Sequence, residues 1–337
     1  MNVLVVRLSA MGDVVHALPL AANLSRAGHR VGWIVERPFA PLLEGHPGIE
    51  SIFVVDTNRW RRHPFASATW RALARVRAEL SDFAADVSLD PQANEKSLWV
   101  SRLTRAPRIV LDDRSTRASW TRKYSWIRVD ASSAASHVVD KNLALLSPLA
   151  VPVVERRPDA RHLLSQSGKM ADVFLSSVVD KFALYHPGAG WPDKCWGEDR
   201  FAALAHEVSL RMGIDPVISW GPGDEDRAWR LAESLKAPRI PSVGFADLAR
   251  IIAECRFFAA GDTGPLHLAD ALGVPTLALF GPTDPSRSGP YRSREQALFA
   301  RLPCSPCFRR YNQTKACLSR IDPVAAVRSI ADRRAGG

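Results

Sequence analysis

Short apolar runs recur along the chain, each followed by a polar or glycine-containing turn and then by a stretch with helical apolar spacing. Asn2–Val6, Val31–Val35, Ser51–Val55, Asp86–Leu89, Phe182–Tyr185, Val217–Trp220, Phe257–Ala260 and Val274–Phe280 read as strands, most of them continuous apolar runs of the kind buried on both faces. Between them, Val14–Ala27, Pro38–Glu44, Ala68–Leu80, Glu198–Leu210, the stretch from Asp226, Ala246–Cys255 and Pro265–Leu272 read as helices. Their ends carry the expected punctuation. Gly28 and Gly273 suit helix stops, Thr263 suits an N-cap and Pro265 a first turn. Residues 58–63, NRWRRH, read as a basic loop with an aromatic residue inside it. Strand and helix alternate in both halves, which predicts an α/β fold.

Length and charge refine this picture. A chain of 337 residues with 46% hydrophobic content favours two domains, expected at 1–160 and 175–320, with the linker inside 150–180. Residues 321–337 follow as a basic helical tail, which by analogy with folds of two facing domains packs back across the cleft. No apolar run approaches the roughly 18 to 20 residues that a membrane span needs. Asp13 and His16 interrupt the first apolar stretch, so the N-terminus does not read as a secretory signal and a cytoplasmic location is expected. A formal charge of +10 invites a nucleic-acid reading, but no helix-turn-helix, zinc-finger or aromatic RNA-binding pattern accompanies the arginines. Anionic glycolipids or a negatively charged leaflet suit the same excess.

The candidate chemistry sits where strands end. Gly261-Asp262-Thr263-Gly264 breaks a strand, and the helix that follows aims free N–H groups and a positive dipole end at the crevice beyond it. A diphosphate is favoured there. His186-Pro187-Gly188-Ala189-Gly190 is a second glycine-containing turn at a strand end, with Lys194 following as a point charge for a leaving group. Since Ala189 and Gly190 lack hydroxyls, their contribution to a phosphate would be backbone N–H groups. Glu225 or its neighbour Asp224 can take a ribose, and Val243 can line a base pocket. In the first half, the loop after Val6 offers Ser9, Gly12 and one carboxylate, Asp13, which also reads as an ordinary acid at a helix start. Arg59, Arg61 and Arg62 can clamp acidic groups, and Arg114, Arg117, Arg122 and Lys123 form a second basic stretch. Cys304, Cys307 and Cys317 supply three thiolates where a tetrahedral metal needs four ligands, so no metal is assigned.

Three strings carry a resemblance: RLSAMGDVVHALP at 7–19, HPGAG with Lys194 and Trp196 at 186–196, and DTGPLHLADALGVPTLALFGPTDP at 262–285. Together they resemble the lipopolysaccharide heptosyltransferases, glycosyltransferase family nine, over nearly the whole chain. The resemblance implies two facing Rossmann-like domains, the GT-B architecture, with the active site in the cleft between them. It implies inverting transfer of heptose from ADP-heptose to the Kdo or inner-core region of a lipopolysaccharide precursor, an anionic glycolipid at the inner-membrane surface. Asp13 would be the general base, and Lys194 with the Thr263–Gly264 helix start would meet the charge of departing ADP. Asp262 and His267 would orient sugar and phosphates, and Glu225 is the acid its pattern favours for the ribose. Ser9, Gly12, Arg59, Arg61, Arg62 and Arg117 would hold the acceptor, and no metal or other cofactor is required. The segment Asp90-Pro91-Gln92 also resembles the family, with Ala93 where glycine is often found. A non-hydrolysing sugar-nucleotide epimerase of the same architecture, or a sugar-nucleotide-binding protein without turnover, stays open as an alternative.

Overall fold

Two all-parallel sheets organise the chain, one in each of two compact units, Met1–His162 and Leu163–Gly337. The computed structural model describes residues 1–112, 127–131, 137–178, 181–293, 297–309 and 316–328. Parallel neighbours cannot be joined by a hairpin, so each pair needs a crossover, and helical crossovers cover the sheet faces. Most strands are therefore buried along their length.

In the first unit β1 (Asn2–Val6), β2 (Arg30–Glu36), β3 (Ser51–Val55), β4 (Val87–Asp90), β5 (Arg108–Leu111) and β6 (Ile127–Val129) lie in the order β3-β2-β1-β4-β5-β6. Val3 stands opposite Val31 on one side and Val87 on the other. The helices are α1 (Met11–Arg26), α2 (Thr57–Arg62), α3 (Ser67–Phe83), α4 (Glu95–Ser101) and α5 (Val138–Ala144), the last packed on α1. Leu4, Val6, Ile34, Phe53, Val76 and Leu80 share one buried cluster under α3. Full burial of each such side chain contributes about 1.5–3 kcal/mol. The chain runs outward from β1 to β3 and then returns to β4 on the other side of β1. Ligands of open α/β sheets bind beyond the strand carboxyl ends at such a reversal. Here that point lies beyond Val6 and Asp90.

The second unit repeats the principle with a different order. After α6 (Lys169–Ser177) come β7 (Phe182–His186), α7 (Glu198–Met212), β8 (Asp215–Ile218), α8 (Glu225–Leu235), α9 (Phe245–Glu254), β9 (Phe258–Gly261), α10 (Gly264–Leu272) and β10 (Thr276–Phe280). A single turn, α11 (Pro285–Ser288), precedes β11 (Ala297–Phe299) and α12 (Ala316–Ser319). The sheet order is β11-β10-β9-β7-β8, so the reversal falls between β7 and β9, where Leu184 stands opposite Phe258. Trp196, fully buried, donates through Nε1 to the carbonyls of Leu318 and Ile321 and ties the chain after α12 into this core.

Several expected boundaries move. The first helix starts at Met11 rather than Val14, because the Asp13 carboxylate accepts from the Ala10 N–H and closes an extra turn. Asp13 is therefore in a helical first turn, not on a loop. Residues 58–63 are largely helical: the Asp56 side chain accepts from the Arg59 N–H at 3.2 Å and caps α2, a signal lying two residues before the basic run. Pro38–Glu44 is a 3-10 segment, Arg37–Leu42, held to that form by two prolines. The stretch expected as linker contains α6, which the second unit holds through Asp247, whose Oδ1 accepts from the N–H groups of Gly168 and Ala171. Residues 323–328 are helical, and Ala326 and Val327 are buried in the second unit's core. The rest of the tail lies outside the described residues.

Candidate active site

β7 and β9 end side by side, and the loops that follow them bring Lys194, Asp262 and His267 together. The two loops come together because Gly261 has no side chain: a Cβ there would lie 2.6 Å from the carbonyl oxygen of Lys194. Lys194 Nζ donates to Asp262 Oδ2 at 2.6 Å and to the Asp262 carbonyl at 3.3 Å, and lies 5.0 Å from the Trp191 ring centre. The other carboxylate oxygen, Oδ1, is 3.2 Å from His267 Nε2, one turn into α10. Burial alone would raise the Asp262 carboxyl. The hydrogen bond with His267 and the Lys194 charge outweigh it and hold the group below the usual carboxylate range. Asp262 is thus a fixed anion that holds one lysine and one histidine.

The start of α10 has the make-up of an anion site. Thr263 is the extended N-cap residue, but its hydroxyl makes no capping bond, and Pro265 brings no N–H. The amides of Gly264 and Leu266 have no carbonyl partner within the helix, and the positive dipole end lies with them. An oxyanion placed there gains both.

A second cluster braces the turn after β7. Burial pushes the His186 ring down to about 4, so it is neutral near pH 7, with Nδ1 3.2 Å from Ser219 Oγ. Its Nε2 lies 3.8 Å from Asp224 Oδ2. A Cβ on Gly188 would fall 2.0 Å from the Asp224 carboxyl carbon, so glycine lets that side chain lie against the turn. Burial raises the Asp224 carboxyl, against the pull of Arg227 and of the Ala189 N–H that it accepts. That amide is accordingly engaged inside the protein, which leaves Gly190 as the exposed part of the turn. Glu225, by contrast, is exposed at the start of α8, with Oε2 accepting from Gly223 N–H at 3.1 Å. Val243 is half-buried just before α9.

The first unit places Asp13 at the β1–β4 reversal. Arg7, at the end of β1, is buried and bonds Asp13 Oδ1 through NH2 at 2.6 Å, while NH1 donates to the Pro91 carbonyl at 3.1 Å. The Asp13 side chain is 46% exposed. Below it, buried Asp90 accepts from Arg108 Nε at 2.9 Å and from the N–H groups of Gln92 and Ala93 at 3.0 and 2.8 Å. Gln92 then accepts the Leu8 N–H through Oε1 at 2.9 Å. The Asp-x-Gln segment thus builds the floor under the Arg7–Ala10 loop that leads into α1. Ala93 has φ +52°, a left-handed conformation that glycine adopts without cost.

Ser9 is half-buried in the same loop and Gly12 is buried in the first turn of α1. Arg59, Arg61 and Arg62 are exposed on α2, after β3, two strands from β1 and so about 10 Å along the sheet edge. Arg117, with Arg114, Arg122 and Lys123, lies outside the described residues. Cys304 is exposed, Cys307 half-buried and Cys317 buried, none in a disulfide. Among the described residues no group of three or more His, Cys, Asp or Glu side chains is placed to hold a metal. Sequence reasoning missed Arg7, Arg108 and the bracing role of Asp224. The available signal for Arg7 was a charge set directly against a buried apolar strand.

The sequence pattern of glycosyltransferase family 9 (heptosyltransferase) matches residues 73–318. Lipopolysaccharide heptosyltransferase 1 of Pseudomonas aeruginosa is 32% identical over 324 residues, covering 92% of this chain and 87% of that protein. The solved structure of Escherichia coli heptosyltransferase WaaC with ADP superposes with a TM-score of 0.80 at 26% identity, covering 98% of this chain and 99% of the other. The same enzyme with ADP-2-deoxy-2-fluoro heptose gives 0.77 at 24% identity, covering 99% and 100%, which bears on the fold.

Proposed function

We propose, from the premise that this chain belongs to glycosyltransferase family 9, the heptosyltransferases, a division of labour between its two units. The protein is a GT-B glycosyltransferase that transfers heptose in building the lipopolysaccharide core, with ADP-heptose as donor. The second unit holds that donor. The α10 amides and Lys194 take the diphosphate, Asp262 fixes Lys194 and His267, the turn at Ala189–Gly190 lies beside them, Glu225 takes the ribose and Val243 lines the base pocket.

The first unit holds the acceptor, a lipid A precursor carrying Kdo at the inner-membrane surface, through Ser9, Gly12 and the α2 arginines. Asp13 accepts the proton of the acceptor hydroxyl. The hydroxyl oxygen forms a bond to the anomeric carbon from the face opposite ADP, the bond from that carbon to the diphosphate oxygen breaks, and its electron pair leaves with ADP. Configuration inverts. Lys194 and the helix amides meet the charge that builds on the departing oxygen.

The observation that carries this reading is the Lys194–Asp262–His267 cluster at the amino end of α10, placed at the sheet reversal of the second unit. It is tested by incubating the protein with ADP-heptose and a Kdo-bearing lipid A precursor. The expected result is ADP release in step with heptosylated acceptor. Consumption of the sugar nucleotide to an epimer without acceptor would overturn it in favour of the epimerase, which the similar proteins do not favour.

A further inference from the structure

A cavity of about 610 Å³ opens in the first unit between α2, α3 and α4, and of its lining only Arg61 has been given to the acceptor. Trp60, Leu73 and Leu98 form its apolar walls, with Trp60 buried and its ring 6.0 Å from that of Trp99. At its mouth Trp70 is 61% exposed and Trp99 46%, and Phe65, in the turn between α2 and α3, is 92% exposed. Large aromatic groups clustered in water around an apolar hole mark a surface that meets something.

The charge says what. Residues 57–78 contain Arg59, Arg61, Arg62, Arg71, Arg75 and Arg77 and no acidic residue. Arg61 lines the cavity, and Arg59, Arg61, Arg62 and Arg71 are exposed. Arginine beside tryptophan and phenylalanine suits a bilayer interface, where ring bodies sit among acyl chains near the headgroups and guanidinium groups lie on phosphates. A single-stranded nucleic acid also takes arginines and rings, but it stacks on open platforms. A concave pocket walled by leucine and tryptophan has instead the shape and polarity for a methylene chain.

We propose that the α2–α4 face docks on an anionic phospholipid bilayer. Phe65, Trp70 and Trp99 enter at headgroup depth, an acyl chain occupies the cavity, and Arg71 and Arg77 of α3 lie on lipid phosphates. The inference rests on the acceptor being a membrane glycolipid, and it adds the surface through which the enzyme meets that membrane. Each arginine near a charged leaflet adds about a fivefold gain in partition, lost as salt screens it.

The test is co-sedimentation of the full chain with vesicles of phosphatidylglycerol and phosphatidylethanolamine, against vesicles of phosphatidylcholine. Binding is expected on the anionic vesicles and is expected to fall steeply with salt. Phe65→Ser with Trp70→Ser removes two exposed side chains, so the fold is kept, and circular dichroism checks it. This double variant is expected to bind anionic vesicles at least tenfold more weakly while transferring heptose normally to a water-soluble, deacylated acceptor. Acyl chains brominated near the headgroup are expected to quench tryptophan fluorescence in the parent and less in Trp70→Ser. Equal binding to neutral vesicles, unchanged binding by the double variant, or salt-sensitive binding to single-stranded DNA in place of vesicles would overturn the inference. Loss of transfer to the soluble acceptor in the parent protein would strike the proposed function instead and leave the docking result standing.

Discussion

The candidate sites of the two units use one motif with its parts exchanged. In each unit a strand ends at the sheet reversal, a carboxylate follows close to the start of a helix, and a cation lies 2.6 Å from it. In the first unit the cation is buried: the Arg7 side chain is 7% exposed and holds up Asp13, which is 46% exposed. In the second unit both members are largely buried, Asp262 at 9% exposed and Lys194 at 15%, and the carboxylate holds Lys194 and His267. In each unit the less exposed member sets position, and the more exposed one, Asp13 or Lys194, is the member the proposed function assigns to a ligand. An ion pair thus says nothing about function until burial shows which partner is the support.

This comparison predicts different failures for the two sides. Asp13→Asn keeps shape and removes the proposed base, so transfer is expected to fall by roughly 10²–10⁴-fold, the range for loss of a general base. ADP affinity, read by calorimetry, should stay close to that of the parent protein. Near-normal transfer by this variant would remove Asp13 from the mechanism and break the comparison at its exposed end. On the other side, Lys194→Met is expected to cost roughly 10²–10³-fold in kcat, as loss of one preorganised charge at a leaving group does. Here donor KM should rise as well, because a lysine placed as proposed meets the diphosphate in the ground state too. Equal and unchanged donor binding in both variants would mean that the units do not divide donor from chemistry.

Much of this layout was legible from residue order. Unbroken apolar strands pointed to the parallel α/β class, and Gly261-Asp262-Thr263-Gly264 marked a candidate anion site through turn chemistry and Pro265. Asp13 was legible as a candidate only, since any acid at a helix start is favoured by the dipole. Long-range supports were not legible. Arg108 reaches Asp90 across the β4–β5 pair, and Gln92 reaches Leu8 over a separation of 84 residues. Gly188 looked like phosphate-loop glycine, whereas the structure shows it making room for Asp224. Local sequence reports turns and periods. It does not report which distant side chain fills the space a glycine leaves.

The smallest effect concerns acid stability, where the two units should behave alike despite their exchanged sites. Each buries a histidine that burial pushes down to about 4: His46 in the first unit, aided by the neighbouring His162 charge and opposed by Asp159, and His186 in the second. His46 Nδ1 accepts the Gly48 N–H at 3.1 Å, a bond that only the unprotonated nitrogen can accept. The folded protein therefore binds these protons later than the unfolded chain, whose histidines titrate near 6.5. Stability from this source is complete above about pH 6.5, falls as pH drops toward 4, and is gone below that. Each histidine accounts for about 3 kcal/mol over that window. Urea unfolding followed from pH 7 to 4 should show the decline in both units. His46→Gln should flatten it in the first unit alone and His186→Gln in the second alone. A parent protein whose unfolding midpoints hold constant from pH 7 to 4.5 would show that these rings are not kept neutral by burial, and the account of the turn after β7 would fall with them.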